Sequence, residues 1–201
     1  MIHLNHIFYK DNDKDQFSFE DISMMFEQSK MYAILYENYE EGKLFFSILA
    51  QLTTPTKGTI IAPATSLEKI GILMETDFIL DFITFSDQLF LEKKEHLDSQ
   101  LNSYCKQLEL DPTLLKEIAK KLNPEQKRIL SIIRCLLNYN IILAFEPTNT
   151  LSDKQEEIIF KLLKNYAKDD HCVIYLTRNK KNCAVADAVY GLKEGNLLFI
   201  R

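Results

Sequence analysis

A glycine–lysine pair stands where a strand-like run gives way to a helical pattern, and phosphate chemistry is possible there. Segment 35–52 reads LYENYEEGKLFFSILAQL, with Gly42 and Lys43 just ahead of the helical part. In the phosphate-binding pattern G-x-x-x-x-G-K-[ST], backbone N–H groups and the lysine hold phosphates while the hydroxyl binds magnesium. Here the first glycine position is Glu37 and the hydroxyl position is Leu44. Gly42 and Lys43 are therefore the remaining candidates for nucleotide binding.

Acidic side chains surround this pair and oppose an anionic ligand. They are Glu37, Glu40 and Glu41. A carboxylate about 6 Å from a triphosphate costs from several tenths to a few kcal/mol, depending on the local dielectric. The single charge of Lys43 does not outweigh three such groups. The alternative is that Glu40 and Glu41 point into solvent, whereas Glu37 replaces a glycine of the tight turn.

Composition and charge exclude several classes of protein. A length of 201 residues with 46% hydrophobic content predicts one compact domain with a sizeable core. The net charge of -5 and pI near 5.5 argue against a nucleic-acid-binding protein, which usually carries a basic face. The sequence contains neither a run of 18 apolar residues nor the features of a signal peptide at its start. We therefore expect a cytoplasmic protein.

Cysteine and histidine spacing predicts no metal site. The four cysteines show no C-x-x-C spacing, and the four histidines show no metal-ligand spacing. Reduced, buried thiols are the expected state of Cys105, Cys135, Cys172 and Cys183.

The order of strand-like and helical patterns predicts an α/β domain with a helical insert. We expect a polar turn at 11–15, a helix opening at Gly42, a helix with Ser86 as its N-cap, and helices starting at Pro112 and Pro124. The apolar run 140–146 has the character of a parallel strand covered on both faces. The remaining predicted strands are 3–9, 16–26, 30–37, 59–62, 69–75, 172–177, 189–193 and 196–200, and the remaining predicted helices are 152–167 and 180–188.

Four stretches in this order resemble the nucleotide-binding domain of ATP-binding cassette (ABC) transporters, over essentially the whole chain. The first, ISMMFEQSKMYAIL, is similar to the strand-turn-strand that leads into the family's phosphate loop, and TTPTKGTI is similar to its GLLKPTSGTI stretch. Residues 122–153, LNPEQKRILSIIRCLLNYNIILAFEPTNTLSD, align without a gap with its LSGGQ-to-DEPTSGLD region. The last, ADAVYGLKEGNLLF, is similar to its closing ADRVVVLKDGRIV.

The resemblance implies an α/β fold with a P-loop NTPase-like ABC ATPase core. That core has a mixed sheet with flanking helices, a small helical subdomain and an N-terminal antiparallel β part. We divide the single domain 1–201 into a β-rich part with the altered loop (1–76), a helical subdomain (77–128) and the rest of the core (129–201).

The resemblance also implies that the magnesium ligands have changed. In the family, magnesium sits on the phosphate-loop hydroxyl and on an aspartate after a buried strand; here these positions are Leu44 and Phe145. Magnesium requires oxygen ligands, so we expect none to bind and the two apolar side chains to pack on each other. Glu146 takes the position of the catalytic carboxylate that activates water, and we interpret it as vestigial.

Three further positions depart from the family pattern. The glutamine that senses magnesium aligns with Glu75, and the switch histidine aligns with Arg178. The signature LSGGQ is replaced by a segment containing Asn123, Pro124 and Glu125. Proline has no amide hydrogen to donate to phosphate, and Glu125 adds a negative charge. The resemblance therefore implies that this chain contributes neither half of a composite ATP site.

An aromatic stretch is the candidate docking site for a partner. In the family, a groove beside the helical subdomain receives a short helix of the membrane subunit, and the matching stretch, 78–91, contains Phe78, Phe82, Phe85 and Phe90. Some of these must be core, and a contiguous exposed remainder would mark a docking surface.

The sequence as a whole favours a degenerate ABC ATPase domain that does not hydrolyse ATP and takes no cofactor, neither ATP nor magnesium. Its role would be an accessory or scaffold subunit of a membrane transport complex, held at the inner face of the membrane by a partner. That partner would be a membrane-spanning subunit or another ABC ATPase subunit, in a homo- or heterodimer, and not nucleic acid. One alternative is a weak or nucleotide-gated ATPase using Lys43 and Glu146; another is a free-standing interaction or regulatory protein that reuses the fold.

Overall fold

The computed structural model describes residues 1–11, 17–62, 70–90 and 98–201. Within these ranges the strands form a three-stranded antiparallel sheet and a six-stranded mixed sheet, which confirms the predicted α/β class. The small sheet consists of β1 (Ile2–Lys10), β2 (Phe17–Phe26) and β4 (Lys57–Ile61), with β1 in the middle. Most of the predicted turn at 11–15 lies outside the described residues.

The large sheet places four strand ends side by side. Its strands are β3 (Lys30–Tyr36), β5 (Ile70–Leu73), β6 (Ile141–Phe145), β7 (Cys172–Thr177), β8 (Ala188–Lys193) and β9 (Asn196–Phe199). The order is β5-β6-β7-β3-β8-β9, and all neighbours are parallel except β8 and β9. In such sheets, ligands bind outside the carboxyl ends of the strands. The residues that follow β3, β5, β6 and β7 therefore belong to one site.

Helices cover both faces of this sheet. They are α1 (Tyr39–Leu49), α2 (Phe85–Phe90), α3 (Asp98–Gln107), α4 (Pro124–Asn138) and α5 (Asp153–Lys168). Helices α4 and α5 form one core with one face of the sheet, while α1 and the small sheet form a second core with the other face. Strand β6 is buried along its whole length and contributes alternate residues to the two cores, as the sequence predicts.

The region before α4 differs from the sequence-based prediction. The single helix expected from Pro112 is instead two short 3₁₀ helices, Pro112–Lys116 and Ala119–Lys121. The backbone at Glu117 and Ile118 is extended because Ile118 forms a bridge with Thr84 and the Glu117 carbonyl accepts the amide of Phe85. Tertiary pairing thus interrupts a helix that local propensity favours.

Two smaller predictions in the helices are also wrong. Ser86 is not the N-cap of α2, because the helix already begins at Phe85 and the Thr84 hydroxyl accepts the amide of Asp87. The expected helix over 180–188 is a short 3₁₀ helix, Asn182–Val185.

The predicted thiols are confirmed. The four cysteines are free and buried, and burial raises the pKa of the Cys172 thiol to about 12. In the part of the chain that the structure describes, no group of three or more His, Cys, Asp or Glu side chains is arranged to hold a metal ion. No helix within those ranges is long and apolar enough to cross a membrane.

Helix α1 begins earlier than the sequence predicts. Its first residue is Tyr39 rather than Gly42, so most of the expected phosphate loop is helical. Asn38 is the N-cap, and its side-chain oxygen accepts the amide of Glu41 at 3.1 Å. The Asn38 carbonyl accepts the amide of Gly42 at 3.0 Å. Amides that would face phosphate in an open loop are therefore used to start the helix.

Gly42 is required here for packing against an aromatic ring. A Cβ at this position would lie 2.6 Å from Cγ of Tyr36. The Tyr36 ring itself stacks on Phe145, with centroids 5.4 Å apart and planes 14° apart, so it has little room to move away. The surviving glycine of the phosphate-loop pattern therefore has a structural reason to be glycine.

We expect Gly42→Ala to lower the free energy of unfolding by roughly 1–3 kcal/mol, the usual cost of overpacking a filled core. Urea denaturation measures this change. The neighbouring Lys43→Ala is the matched control, because Lys43 is exposed and its side chain contacts only the Tyr39 ring among the interactions described, and it should change stability by less than about 1 kcal/mol. Equal stability of Gly42→Ala and the unmodified chain would show that the Tyr36 ring is not tightly held.

Candidate functional site

The candidate site is a network of side chains that links the carboxyl ends of the parallel strands. We name it the carboxyl-edge network and define it as Tyr36, Tyr39, Glu75, Glu146 and Arg178. Tyr36 ends β3, Tyr39 begins α1, and the other three follow β5, β6 and β7. The topology thus places Glu75, Glu146 and Arg178 at one edge of the sheet and adds two tyrosines.

The Glu146 carboxylate accepts three hydrogen bonds from the protein. Oε1 accepts the Tyr36 hydroxyl at 2.6 Å and the backbone N–H of Arg178 at 2.8 Å, and Oε2 accepts the Thr177 hydroxyl at 3.2 Å. Arg178 Nε lies 3.7 Å from Oε1. Glu146 also has a φ of +46°, which is uncommon for a residue with a side chain. Its carboxylate is therefore held in a defined position by internal donors.

Tyr36 is a fixed donor to this carboxylate. Burial and, to a smaller extent, the hydrogen bond to Glu146 raise the pKa of Tyr36 far above its ordinary value. The hydroxyl consequently keeps its proton at every physiological pH, and the bond to Glu146 persists. The ring is buried in the core shared by α1 and the small sheet.

Tyr39 links the network to the segment after β5. Its hydroxyl donates to Oε2 of Glu75 at 2.7 Å, and this bond, followed by burial, raises the pKa of Tyr39. Two cations lie near its ring, with Lys43 Nζ 5.7 Å and Arg178 Cζ 5.8 Å from the centroid. Both distances are within the range of cation–π attraction. Lys43 therefore has a partner within the protein.

Phe145 is the apolar centre beneath these polar groups. It contacts the rings of Tyr36, Tyr39 and Phe46, with centroids 5.4, 5.7 and 5.5 Å away, and only 3% of its surface is exposed. Leu44 packs against the same core. The two positions predicted to have lost magnesium ligands are thus occupied by hydrophobic side chains of one core. The ring contacts of Phe145 are with Tyr36, Tyr39 and Phe46.

These residues do not fit a magnesium ion or a phosphate cradle of the family type. Magnesium requires oxygen ligands in octahedral geometry, and Leu44 and Phe145 supply carbon. A phosphate cradle requires free backbone amides, and those of Glu41 and Gly42 are bonded to Asn38.

An open cavity of about 660 Å³ lies beside the start of α1 and is strongly acidic. Its charged lining consists of Asp11, Glu37, Glu40, Glu41, Lys193 and Glu194. Two of the glutamates are engaged: Glu37 lies 3.8 Å from Lys193 Nζ, and Glu41 accepts the backbone N–H of Gly195 at 2.6 Å. Glu41 therefore joins α1 to the β8–β9 turn instead of pointing into solvent, and Glu40 remains exposed.

The segment at the signature position starts a helix. The Asn123 side chain accepts the amide of Gln126, and the Gln126 side chain accepts the amide of Asn123, which together form a capping box. Pro124 is the first residue of α4, where a missing amide hydrogen costs nothing. Glu125 accepts a hydrogen bond from Gln155 of α5. The spacing of Asn123 and Gln126 in the sequence is the pattern of such a cap, whereas the alignment with LSGGQ indicated only a changed signature.

The candidate docking phenylalanines differ in their exposure to solvent. Phe78 and Phe82 are 66% and 76% exposed. Phe85 is fully buried, so the prediction that it docks a partner is wrong: as the first residue of α2, it packs into the core formed with α4 and α5. The side chain of Phe90 lies outside the described part of the chain.

Tyr36 and Tyr39 were missed by the sequence analysis. They flank the connection between β3 and α1, and the aromatic Phe145, at the position of the family's aspartate, lies nearby in space. Aromatic residues at three such positions were the available signal, but it required knowing that β3 and β6 end at the same edge of the sheet.

No model of a known protein family matches this sequence. Two relatives cover most of it. An uncharacterised ABC transporter ATP-binding protein, YclH of Bacillus subtilis, is 22% identical over 214 residues, covering 98% of this chain and 95% of the relative. The energy-coupling factor transporter ATP-binding protein EcfA1 of Mesomycoplasma hyopneumoniae is 26% identical over 205 residues, covering 93% and 75%.

Solved structures with the same fold are also ATP-binding cassettes. The dimeric cassette MJ0796 in a post-hydrolysis state, bound to ADP and Pi, has a TM-score of 0.82 and 18% identity, covering 100% of this chain and 99% of that one. An ATP-binding subunit of an ABC transporter has a TM-score of 0.87 and 14% identity, covering 98% and 88%.

The prediction that the chain takes no cofactor is contradicted by these comparisons. The relatives are named as ATP-binding proteins, and one structural neighbour contains ADP and Pi. The changed loop and metal positions do not establish that a nucleotide is absent.

The resemblance inferred from the motifs is confirmed in sequence and in fold. The chain is an ABC transporter ATP-binding-subunit-like protein, similar over its whole length to the ATP-binding cassettes of ABC transporters.

Proposed function

We propose that this chain is a degenerate cassette subunit of a membrane transport complex, one that supports the complex without hydrolysing ATP at its own site. The observation that carries the proposal is that both oxygens of Glu146 already accept hydrogen bonds from the protein, donated by Tyr36, Thr177 and Arg178. A general base must be free to accept a proton from water within hydrogen-bonding reach. In this chain, two donors of the protein already occupy Oε1.

The packing around Phe145 supports the same proposal. Phosphoryl transfer in this fold depends on a metal held by a hydroxyl and a carboxylate. Leu44 and Phe145 stand at those positions, and Phe145 is enclosed by three aromatic rings. These changes bear on the hydrolysis step. Because the relatives are named as ATP-binding proteins, ATP is the nucleotide to use in a test.

A weakly active or nucleotide-gated ATPase is the second candidate function. The relatives' ATP-binding names favour it, together with the survival of Gly42, Lys43 and Glu146 at family positions. The packing of Gly42 on Tyr36 and of Lys43 on Tyr39 gives both residues a structural role, which weakens this alternative.

We further propose that the helical part, 77–128, carries a docking surface for a membrane-spanning subunit and holds the chain at the inner face of the membrane. Phe78 and Phe82 are exposed, and Phe78 borders an apolar groove of about 270 Å³ that Leu52, Ile72 and Met74 also line. An exposed phenylalanine beside an apolar groove is typical of a protein interface. Association with a second cassette subunit, as in the dimeric structures of the relatives, is the other contact we propose.

We expect Glu146→Gln to leave the rate of phosphate release from Mg-ATP unchanged, because both carboxylate oxygens are already engaged by donors of the protein. Phosphate release from the purified chain, alone and with its membrane partner, measures this. A rate in the unmodified protein that exceeds that of Glu146→Gln would contradict the proposal and support the weak-ATPase alternative.

Restoring the family residues should destabilise the protein. In the triple variant Glu37→Gly, Leu44→Ser, Phe145→Asp, we expect the free energy of unfolding to fall by about 3–5 kcal/mol, because a carboxylate and a cavity replace a packed ring. Urea denaturation measures the change. Glu37→Gly alone is the control and should cost less than about 1 kcal/mol, since Glu37 forms only an exposed ion pair. A triple variant as stable as the original would refute the packing argument.

Phe82→Ser and Phe85→Ser should separate docking from folding. We expect Phe82→Ser to abolish recovery of a multi-span partner from solubilised membranes with little change in stability, because its side chain is 76% exposed. Phe85→Ser should lower the free energy of unfolding by about 3–5 kcal/mol, because its ring is in the core. Partner recovery unaffected by Phe82→Ser would exclude this residue from the interface.

A further inference from the structure

The connection between β5 and α2 contains neither helix nor strand, yet side chains from other elements hold its backbone. We call residues 74–84 the framed segment. Arg128, fully buried in α4, donates to the carbonyls of Met74 at 2.7 Å and Glu75 at 2.5 Å. The Asp77 carboxylate lies 3.1 Å from the same guanidinium. One buried arginine therefore fixes the first half of the segment.

The second half is held in the same manner. The side chain of Gln88 makes two hydrogen bonds to Leu80. Its Oε1 accepts the backbone N–H at 2.8 Å, and its Nε2 donates to the backbone carbonyl at 3.2 Å. Arg134 Nη1 donates to the carbonyl of Phe78 at 3.0 Å. The carbonyls of Asp81 and Ile83 accept the amides of Lys120 and Ala119. These donors thus fix an irregular backbone that carries three exposed apolar side chains, those of Phe78, Leu80 and Phe82.

Tyr39 ties this segment to the opposite side of the site. Its hydroxyl reaches Glu75, and in the sheet order β6 and β7 stand between β3, which leads to Tyr39, and β5, which leads to Glu75. The bond therefore spans the carboxyl edge, where an external ligand binds in sheets of this kind. A tyrosine of the chain supplies the contact across the edge.

We propose that Tyr39 is a built-in substitute for a ligand, and that it holds the framed segment in one position whether or not nucleotide is present. The surface of Phe78, Leu80 and Phe82 is then constitutively formed. The role of this surface in docking rests on the proposed function. The fixing of residues 74–84 by the Tyr39–Glu75 hydrogen bond does not. A surface fixed before binding loses less conformational entropy on association, which favours a stable subunit contact.

Hydrogen exchange of the full chain tests this proposal without a partner. The reporter is the Leu80 amide, with amides of β6 as the reference for global unfolding. In the unmodified protein, millimolar Mg-ATP should change exchange in residues 74–84 by less than about twofold. Tyr39→Phe, which removes only the hydroxyl, should speed exchange there about tenfold, the effect of losing one hydrogen bond to a charged group. Tyr9→Phe is the matched control and should leave the segment unchanged.

Three results would overturn the proposal. Strong protection of residues 74–84 by Mg-ATP in the unmodified protein would show that nucleotide, rather than Tyr39, orders the segment. Unchanged exchange in Tyr39→Phe would show that Arg128 and Gln88 suffice. Equal acceleration of the β6 amides would mean that the hydroxyl contributes only to overall stability. None of these depends on phosphate release, so the proposed function and this inference fail separately.

Discussion

The hydrogen bond between Tyr36 and Glu146, above the stacked rings of Tyr36 and Phe145, is the interaction on which the rest of the site depends. A carboxylate 14% exposed, at the edge of an apolar core, is stable only if its oxygens are satisfied. Tyr36 satisfies one oxygen and at the same time covers Phe145 with its ring. Without Tyr36, the charge of Glu146 would lose a donor and the Phe145 ring would lose its cover. The polar and apolar halves of the site are therefore inseparable.

The start of α1 shows how a site for an anion can be filled by the chain itself. A helix N-terminus has unpaired amides and a positive electrostatic potential, which attract phosphate. Here Asn38 accepts two of the amides, and Glu40 and Glu41 place negative charge in the first turn. The helix gains its own cap and complementary charges, and Glu41 further ties it to the β8–β9 turn. In this chain the start of α1 is therefore stabilised by groups of the protein itself.

Contacts within the protein also occupy the family's functional positions in the helical part, 77–128. The signature position became a capping box, and the connection after β5 is held by a buried arginine and by Tyr39. At each of these positions a side chain of the protein bonds to the protein's own backbone. Fold similarity to ATP-binding cassettes does not by itself fix function, so the functional proposal rests on these contacts. Phe78 and Phe82 remain exposed on this part of the chain.

The sequence by itself determined the fold class, the order of most elements, the resemblance to ABC cassettes and the positions at which family residues are replaced. These follow from hydrophobic periodicity, caps and motif spacing, which are local properties of the chain. Only the tertiary structure decided what the replaced residues do. The interruption at Glu117, the burial of Phe85 and the partners of Glu146 all depend on contacts between residues far apart in sequence. Strand order sets the contact between Tyr36 and Glu146, because it brings the ends of β3 and β6 to one edge of the sheet.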